Sequence, residues 1–400
     1  MKTALVTLGR LPKGLDICRA LAASGWRVIV AEPSKRHLCG LSRSVAKSVQ
    51  LPPPNADGEA YLAALADVIE QEAVSLVVPV SEEIMHASLV KWRLPDGVRF
   101  FGEHHEKLLL LHDKFHFNRL AQSFGLAVPE TALLGTDEAA RLAATGHVIL
   151  KPALTCSGQG LRHLTKGDAL PAPSAQPELV QRALPGGHSS TFSIADEGRV
   201  IGTVVYRPTV VSDTVAVAFE RLTGATAQED WAARMIAETG HSGFLSLDFI
   251  EDEAGVPRAI ECNPRATSGI HFVSQDSLAA ALLTPDQAID LTFKPHRVMH
   301  QFWPLLTEIQ GAMFRPGRGY VHKMKTLFGA KEVNFAWRDP MPVVAQPFAA
   351  WEIMRRAMAH GESFGEVATE DIAWFGDGPK SPKISQSTPP ASYRHTFQQS

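Results

Sequence analysis

The sequence predicts an α/β protein that opens on a parallel sheet with helices on its faces and continues into antiparallel hairpins. Three observations predict it. The first ninety residues alternate short apolar runs with stretches of helical spacing. Two later stretches read as hairpins, one turning at Asp196-Glu197-Gly198 and one near Gly255. A chain of 400 residues is also long for one core, so two to four packed units are expected.

The elements follow in order. "ALVTLG" is an apolar run that ends at Gly9, and "GLDICRALAASG" carries helical spacing to a stop at Gly25. "RVIVAEP" is a second strand, "EAYLAALADVIEQEA" a helix and "VSLVVPV" a third strand. The turn after strand one, "LGRLPKG", holds Gly9 and Gly14 but no GxGxxG. Glu32 alone, at the end of strand two, is therefore weak evidence for a dinucleotide. "QLPPPNADG" is a loop by composition. Asp113 is placed to cap a helix that Gly125 ends, with Pro129 beyond it. "HVILKPALTCSGQGLRHL" reads as strand, Gly-containing turn, strand. "ELVQRALPGG" then resumes the sheet pattern after a Pro- and Ala-rich loop. Residues 296–376 contain Trp-, Met- and Phe-rich helical pieces, and the Pro/Ser-rich stretch 377–400 reads as a mobile tail.

The bulk numbers describe an ordinary soluble globular chain, 45% hydrophobic and 20% charged. A net charge of −3 gives no global electrostatic reason to expect nucleic acid or an anionic membrane as partner, although it leaves local basic sites open. Cys18, Cys39, Cys156 and Cys262 form neither a CxxC pair nor a CxxH cluster, so they read as reduced thiols. The N-terminal "MKTALVTLGR" reads as a strand, not a signal peptide, and no apolar run approaches the roughly 20 residues that span a bilayer. The cytoplasm is the expected location.

Chemistry concentrates in the hairpin 243–263. In "FLSLDFI", Asp248 shares a face with Ser246; in "AIECN", Glu261 and Asn263 share one; antiparallel pairing brings the two sets together. Pro264 ends the strand and Arg265 follows it. Two carboxylates and an amide there are either solvent-facing polar residues or the hard oxygen donors that Mg²⁺ or Mn²⁺ takes. "ILKPALTCSGQG" places Lys151 at a strand end, ahead of a turn with Ser157, Gly158 and Gly160. Glycines in such a turn let backbone N–H groups approach an anion. No GKS or GKT follows, so the turn is not a P-loop.

Taken in order, these residues resemble the ATP-grasp carboxylate–amine ligases. The resemblance covers roughly residues 1–295. It rests on Asp113-Lys114, Lys151-Pro152, the loop Thr155 to Gly160, the hinge Val180 to Gly186, and Asp248 with the Glu261-x-Asn263-x-Arg265 spacing. It implies ATP and Mg²⁺ (or Mn²⁺), with Lys114 and Lys151 on the phosphates and Ser157, Gly158 and Gly160 in the loop over them. Gln181, Arg182 and Leu184 would form the adenine hinge, and His188 would stand at the ribose position. Asp248, Glu261 and Asn263 would be the metal ligands, and Arg265 the clamp on the transferred phosphoryl group. Lys151 and Arg265 carry the catalytic expectation. The hinge departs from the family, which usually has an acid near Gln181 or Arg182 and often Glu where His188 stands. Arg207, Ser268 and His271 are candidate substrate contacts.

The implied organisation is a Rossmann-like domain over 1–105 and an ATP-grasp small lobe over 106–185. A large lobe with the metal site follows over 186–295, then a mostly helical region over 296–376 and the tail 377–400. The implied reaction joins a carboxylic acid, through an acyl phosphate, to an amine of amino-acid or small-peptide type, forming an amide with release of ADP and phosphate. The alternatives are a phosphotransferase of the same fold acting on a hydroxyl, or a nucleotide-binding module with impaired catalysis. The expected partners are small-molecule carboxylate and amine substrates, with no nucleic acid and no membrane. A homodimer is the default assembly because dimers are the commonest.

Overall fold

A computed structural model describes residues 1–155, 160–212, 215–313, 318–360, 367, 369–374 and 376. The N-terminal unit is a five-stranded sheet with every described pairing parallel, ordered β3-β2-β1-β4-β5. Its strands are β1 (Thr3–Val6), β2 (Arg27–Glu32), β3 (Lys47–Gln50), β4 (Val74–Val78) and β5 (Arg99–Phe100). Helices α1 (Pro12–Ala23), α2 (Gly58–Gln71) and α3 (Ile84–Ala87) connect them. Strand order reverses between β1 and β4, and in an open α/β sheet ligands gather outside the strand ends at that point. Glu32 does not await a ribose. Its carboxylate accepts from Gly9 N and Arg10 N, both at 2.9 Å, and from Ser34 N and Arg10 Nε.

Helix α4 (His105–His112) leads to α5 (Lys114–Ser123), which Asp113 caps by accepting from Phe115 N and His116 N, as the sequence indicates. The small lobe is a four-stranded antiparallel sheet, β6 (Thr131–Leu133), β7 (Val148–Pro152), β8 (Arg162–Leu164) and β9 (Glu178–Arg182), ordered β6-β9-β7-β8. Helix α6 (Asp137–Thr145) covers it, and Thr136 caps that helix.

The large lobe is a seven-stranded sheet ordered β14-β13-β10-β11-β12-β15-β16. It comprises β10 (His188–Asp196), β11 (Arg199–Ser212), β12 (Val215–Arg221), β13 (Gly243–Glu251), β14 (Pro257–Asn263), β15 (Val298–His300) and β16 (Lys331–Glu332). Both predicted hairpins are present. Glu197 and Gly198 turn the first with positive φ (46° and 80°), and Gly255 (φ 76°) turns the second. Helix α7 (Thr226–Thr239) packs on this lobe, and α8 (Gln275–Leu283) packs on α1 of the N-terminal unit. The C-terminal helices α9 (Phe302–Met313), α10 (Arg318–Gly329) and α11 (Met341–His360) do not stand apart. Strands β15 and β16 beside them complete the large sheet, and α9 and α10 close a small core over Val210, Val217 and Ala218. The tail 377–400 lies outside the described residues.

The parallel sheet and the large lobe share one apolar core, in which Val6, Leu15 and Leu21 join Phe192, Phe219, Phe272 and Leu278. A buried polar knot pins the same junction. Asp16 on α1 meets His271 Nδ1 at 2.5 Å and Lys294 Nζ at 2.8 Å. Burial works to raise the Asp16 carboxyl, but Lys294 and His271 outweigh it and hold the group far below the usual carboxylate range. The contribution is therefore full above about pH 4 and is lost as pH falls toward the depressed folded value. Asp16→Asn is expected to cost about 2–4 kcal/mol in urea unfolding at neutral pH, because it strips the counter-charge from Lys294.

Candidate active site

The site forms where an edge of the large sheet faces the small lobe. Asp248 on β13 lies directly opposite Glu261 on β14, and Ser246 opposite Asn263, with a bulge just past Asp248. Strand alternation puts Leu247 and Cys262 into the core beneath, so the polar set is forced to one face. Asn263 Nδ2 donates to Asp248 Oδ2 at 3.0 Å and to Glu261 Oε1 at 3.5 Å. Ser190 Oγ, from β10, donates to Asp248 Oδ1 at 2.5 Å.

Two cations approach from the small-lobe side. Lys114, the first residue of α5, is aimed by the Asp113 cap; its Nζ donates to Thr155 O at 2.6 Å and stands 3.7 Å from Glu261 Oε2. Lys151 on β7 is buried, and its Nζ donates to Gln181 Oε1 at 2.9 Å and across the cleft to Ile260 O at 3.0 Å. Gln181 is held in turn by donating to Thr131 Oγ1 at 2.9 Å, to which Asn118 also donates. Gln181 thus orients Lys151 through its side chain.

The electrostatics are those of a carboxylate pair short of positive charge. Desolvation in the cleft, reinforced by Glu261, pushes Asp248 up to about 7. Glu261 feels the same desolvation, yet Lys114 and Lys151 hold it down to about 2. Burial pushes Lys151 down to about 8, against the pull of Glu261. A hard divalent cation relieves such a pair, and two carboxylates with an amide are oxygen ligands of the kind Mg²⁺ or Mn²⁺ takes. The two carboxylates therefore fit the metal as they stand, and Asn263 would join them once its amide turns to present Oδ1 in place of Nδ2. Among the described residues no group of three or more His, Cys, Asp or Glu side chains is placed to hold an ion, so substrate and water oxygens would complete the shell.

Arg265 turns away from the strand end toward the parallel sheet. Its Nε donates to Glu82 Oε1 at 2.6 Å and its Nη2 to Asn263 Oδ1 at 3.0 Å. Glu82 belongs to a group that reading the sequence missed. Glu83 accepts from Thr7 Oγ1 at 3.0 Å and from Val80 N and Ser81 N, bridging the ends of β1 and β4 at the switch point. Lys13 Nζ donates to Ser81 Oγ at 3.0 Å and to Ala266 O at 2.7 Å. His112 Nε2 lies 3.9 Å from Glu82. Burial pushes Glu83 up to about 7, whereas Arg265, His112 and Lys13 overcome burial and keep Glu82 low. The available signal was the pair of acids in "VVPVSEE", placed just past a buried parallel strand. Glu82→Gln keeps the shape and removes the charge behind Arg265. A loss of about 10- to 100-fold in turnover is expected in a steady-state ADP assay, with the protein still folded by circular dichroism.

The other predicted positions are spread more widely. Gly160 has φ +74°, which favours glycine, while Ser157 and Gly158 lie outside the described residues. Arg182 pairs with Glu130 and donates to Thr145 Oγ1. Leu184 is half-buried just past β9, and His188 is exposed at the first position of β10. Arg207 is exposed in a cross-strand ion pair with Glu220 at 2.8 Å. Ser268 begins the single helical turn Ser268–Phe272. His271 in that turn is buried on Asp16 and stacked on Phe219 at 5.6 Å. Cys18, Cys39 and Cys262 are free and buried.

No protein-family model matches the sequence, and no curated protein matches it. Solved structures do resemble it. The biotin carboxylase domain of the 2-oxoglutarate carboxylase from Hydrogenobacter thermophilus, in complex with MgADP, ADP and bicarbonate, aligns at TM-score 0.56 and 17% identity, over 70% of this chain and 69% of that one. N5-carboxyaminoimidazole synthetase from Staphylococcus aureus aligns at TM-score 0.59 and 13% identity, over 78% and 85%. The L-amino acid ligase from Bacillus licheniformis aligns at TM-score 0.55 and 14% identity, over 71% and 75%. The likeness covers 70% to 78% of the chain in these three comparisons, and it establishes that the chain has the ATP-grasp fold.

Proposed function

We propose that the protein is an ATP- and Mg²⁺-dependent ligase that joins a carboxylic acid to an amine of amino-acid or small-peptide type. The observation that carries this reading is the facing of Asp248 and Glu261 across β13 and β14, with Lys114 and Lys151 beside the pair and Arg265 held on the neighbouring Asn263. The names of the structural neighbours, an L-amino acid ligase and two enzymes whose names denote carboxylation chemistry, agree with it.

A carboxylate is a poor electrophile because its leaving group would be oxide. In the proposed reaction a carboxylate oxygen attacks the γ-phosphorus of ATP and ADP leaves. The amine nitrogen then attacks the carbonyl carbon, gives up a proton, and phosphate leaves. Lys151 and Lys114 supply fixed positive charge at the phosphates without reorganising, because Gln181 Oε1, Ile260 O and Thr155 O already hold them. Arg265, poised between Asn263 and Glu82, meets the charge that develops on the transferred group. Asp248, Glu261 and Asn263 would hold Mg²⁺, which when bound supplies Lewis-acid neutralisation of phosphate oxygens. The Ser81–Glu83 and Lys13 cluster stands beyond Arg265 and holds its guanidinium through Glu82.

The test is a screen of carboxylic acids against pooled amino acids, reading ADP release together with the mass of the product. ADP formation that needs both partners and yields their amide supports the assignment. A stable phosphorylated hydroxyl compound in place of an amide would make the protein a phosphotransferase. Nucleotide binding without turnover of any pair would make it a binding module.

A further inference from the structure

The C-terminal region carries a feature that the site does not use. On α11, Met341, Val344, Phe348 and Trp351 are all exposed, at 47%, 56%, 64% and 57%. At 100° per residue these positions, with Arg355, fall within an arc of about 80°, and the apolar four extend over about 15 Å of helix. Core-facing helices place such a stripe inward. This one faces out, while Pro342 on the same helix is buried and α11 packs on the turn Leu38–Leu41. Trp337, 86% exposed, precedes the helix.

The charge around the stripe is predominantly positive. Residues 296–360 hold nine Lys and Arg against four Asp and Glu, a balance of +5 in a chain of −3 overall. The described acids there are already engaged: Asp339 is buried on Arg19 and Ser42, Glu308 pairs with Lys323, and Glu332 accepts from Asn334 and Phe335 N. Arg338 and Arg355 are exposed at the two ends of the stripe, and Arg43 joins them by donating to Arg338 O. An isologous dimer through this face would bring like charges together around its axis, which disfavours a second copy as the occupant. Exposed Trp, Phe and Met between arginines match the interface of an anionic bilayer, where rings enter the headgroup level and cations meet lipid phosphates. Among the described residues no helix is long and apolar enough to cross a membrane, so the contact would be peripheral.

We propose that α11 and the Trp337–Arg338 turn before it form a peripheral docking surface for anionic lipid bilayers. The expectation of no membrane partner drew on the whole-chain charge, in which this local excess cancels. The test uses the full chain in flotation with vesicles of phosphatidylcholine alone, or of phosphatidylcholine with phosphatidylglycerol. Flotation is expected only with phosphatidylglycerol and should fall at high salt. The double variant Phe348→Ser/Trp351→Ser should float at least about tenfold less, with unchanged thermal unfolding, since the removed groups are exposed. Arg338→Glu/Arg355→Glu should lose the preference for anionic lipid. Equal binding to both vesicles, or to neither, would overturn the proposal. So would a wild-type dimer in solution that Phe348→Ser/Trp351→Ser converts to monomer, because the stripe would then be a self-association face.

Discussion

Glu261→Gln is expected to lower ADP formation by about 10³-fold at saturating ATP and low Mg²⁺. The substitution leaves the outline of the strand intact and removes one charge at the position where three effects meet. Glu261 faces Asp248 across the hairpin, balances Lys114 at 3.7 Å, and draws on Lys151, whose ammonium is anchored one residue away on Ile260 O. With the charge gone, Asp248 alone would offer the cation an anionic ligand, and the two lysines would lose their carboxylate counter-charge while keeping their hydrogen bonds to Thr155 O, Gln181 Oε1 and Ile260 O. Because the loss falls first on metal affinity, raising Mn²⁺ or Mg²⁺ should recover part of the rate. A steady-state titration of metal against turnover in both proteins reads this directly. Full turnover in Glu261→Gln at low Mg²⁺ would mean that the metal site lies elsewhere.

Lys151→Met is expected to cost about 10²- to 10³-fold in kcat/KM for ATP, with no recovery by added metal. The methionine keeps the apolar stem that packs in the small lobe and removes the ammonium. Gln181 Oε1 and Ile260 O then lose their donor inside the cleft. The wild-type protein offers a companion measurement. Lys151 carries its charge below a pKa that burial lowers to about 8, so a step that needs the cation should weaken as pH rises through that value. The profile of kcat/KM for ATP is the one to follow, since it reports the free enzyme before bound phosphates raise the pKa. Wild type should show an alkaline limb near pH 8, and Lys151→Met should lack it. An unchanged limb in the variant would assign the titration to another group.

Much of this site was legible in the sequence because strand alternation and spacing carry it. Once "FLSLDFI" and "AIECN" are two strands of one hairpin, parity alone places Asp248, Glu261 and Asn263 on one face, and the pairing confirms it. Asp113 as a cap, and the turns at Gly198 and Gly255, are local signals that packing did not override. What escaped was set by distant contacts. Nothing in the spacing of "VVPVSEE" says that Glu82 will meet Arg265, 183 positions later in the chain, or that Glu83 will tie β1 to β4. The resemblance implies Gln181 as a hinge residue that frames a base, but no spacing announces that its side chain also holds Lys151 and Thr131. Arg207 reads as a cation for a substrate carboxylate, but its direct cross-strand neighbour is Glu220. The region after residue 296 gave only helical pieces, because strands of three and two residues are too short to leave a period.

The central claim is that a carboxylate is activated by phosphorylation at this site before an amine captures it. The measurement that bears on it most directly follows heavy oxygen from a labelled carboxylic acid, once the screen has found an accepted acid and amine. The account predicts one labelled oxygen in each phosphate released, with one amide and one ADP formed per turnover. Amide formed with unlabelled phosphate would contradict it, as would ADP formed while the labelled acid keeps both of its oxygens.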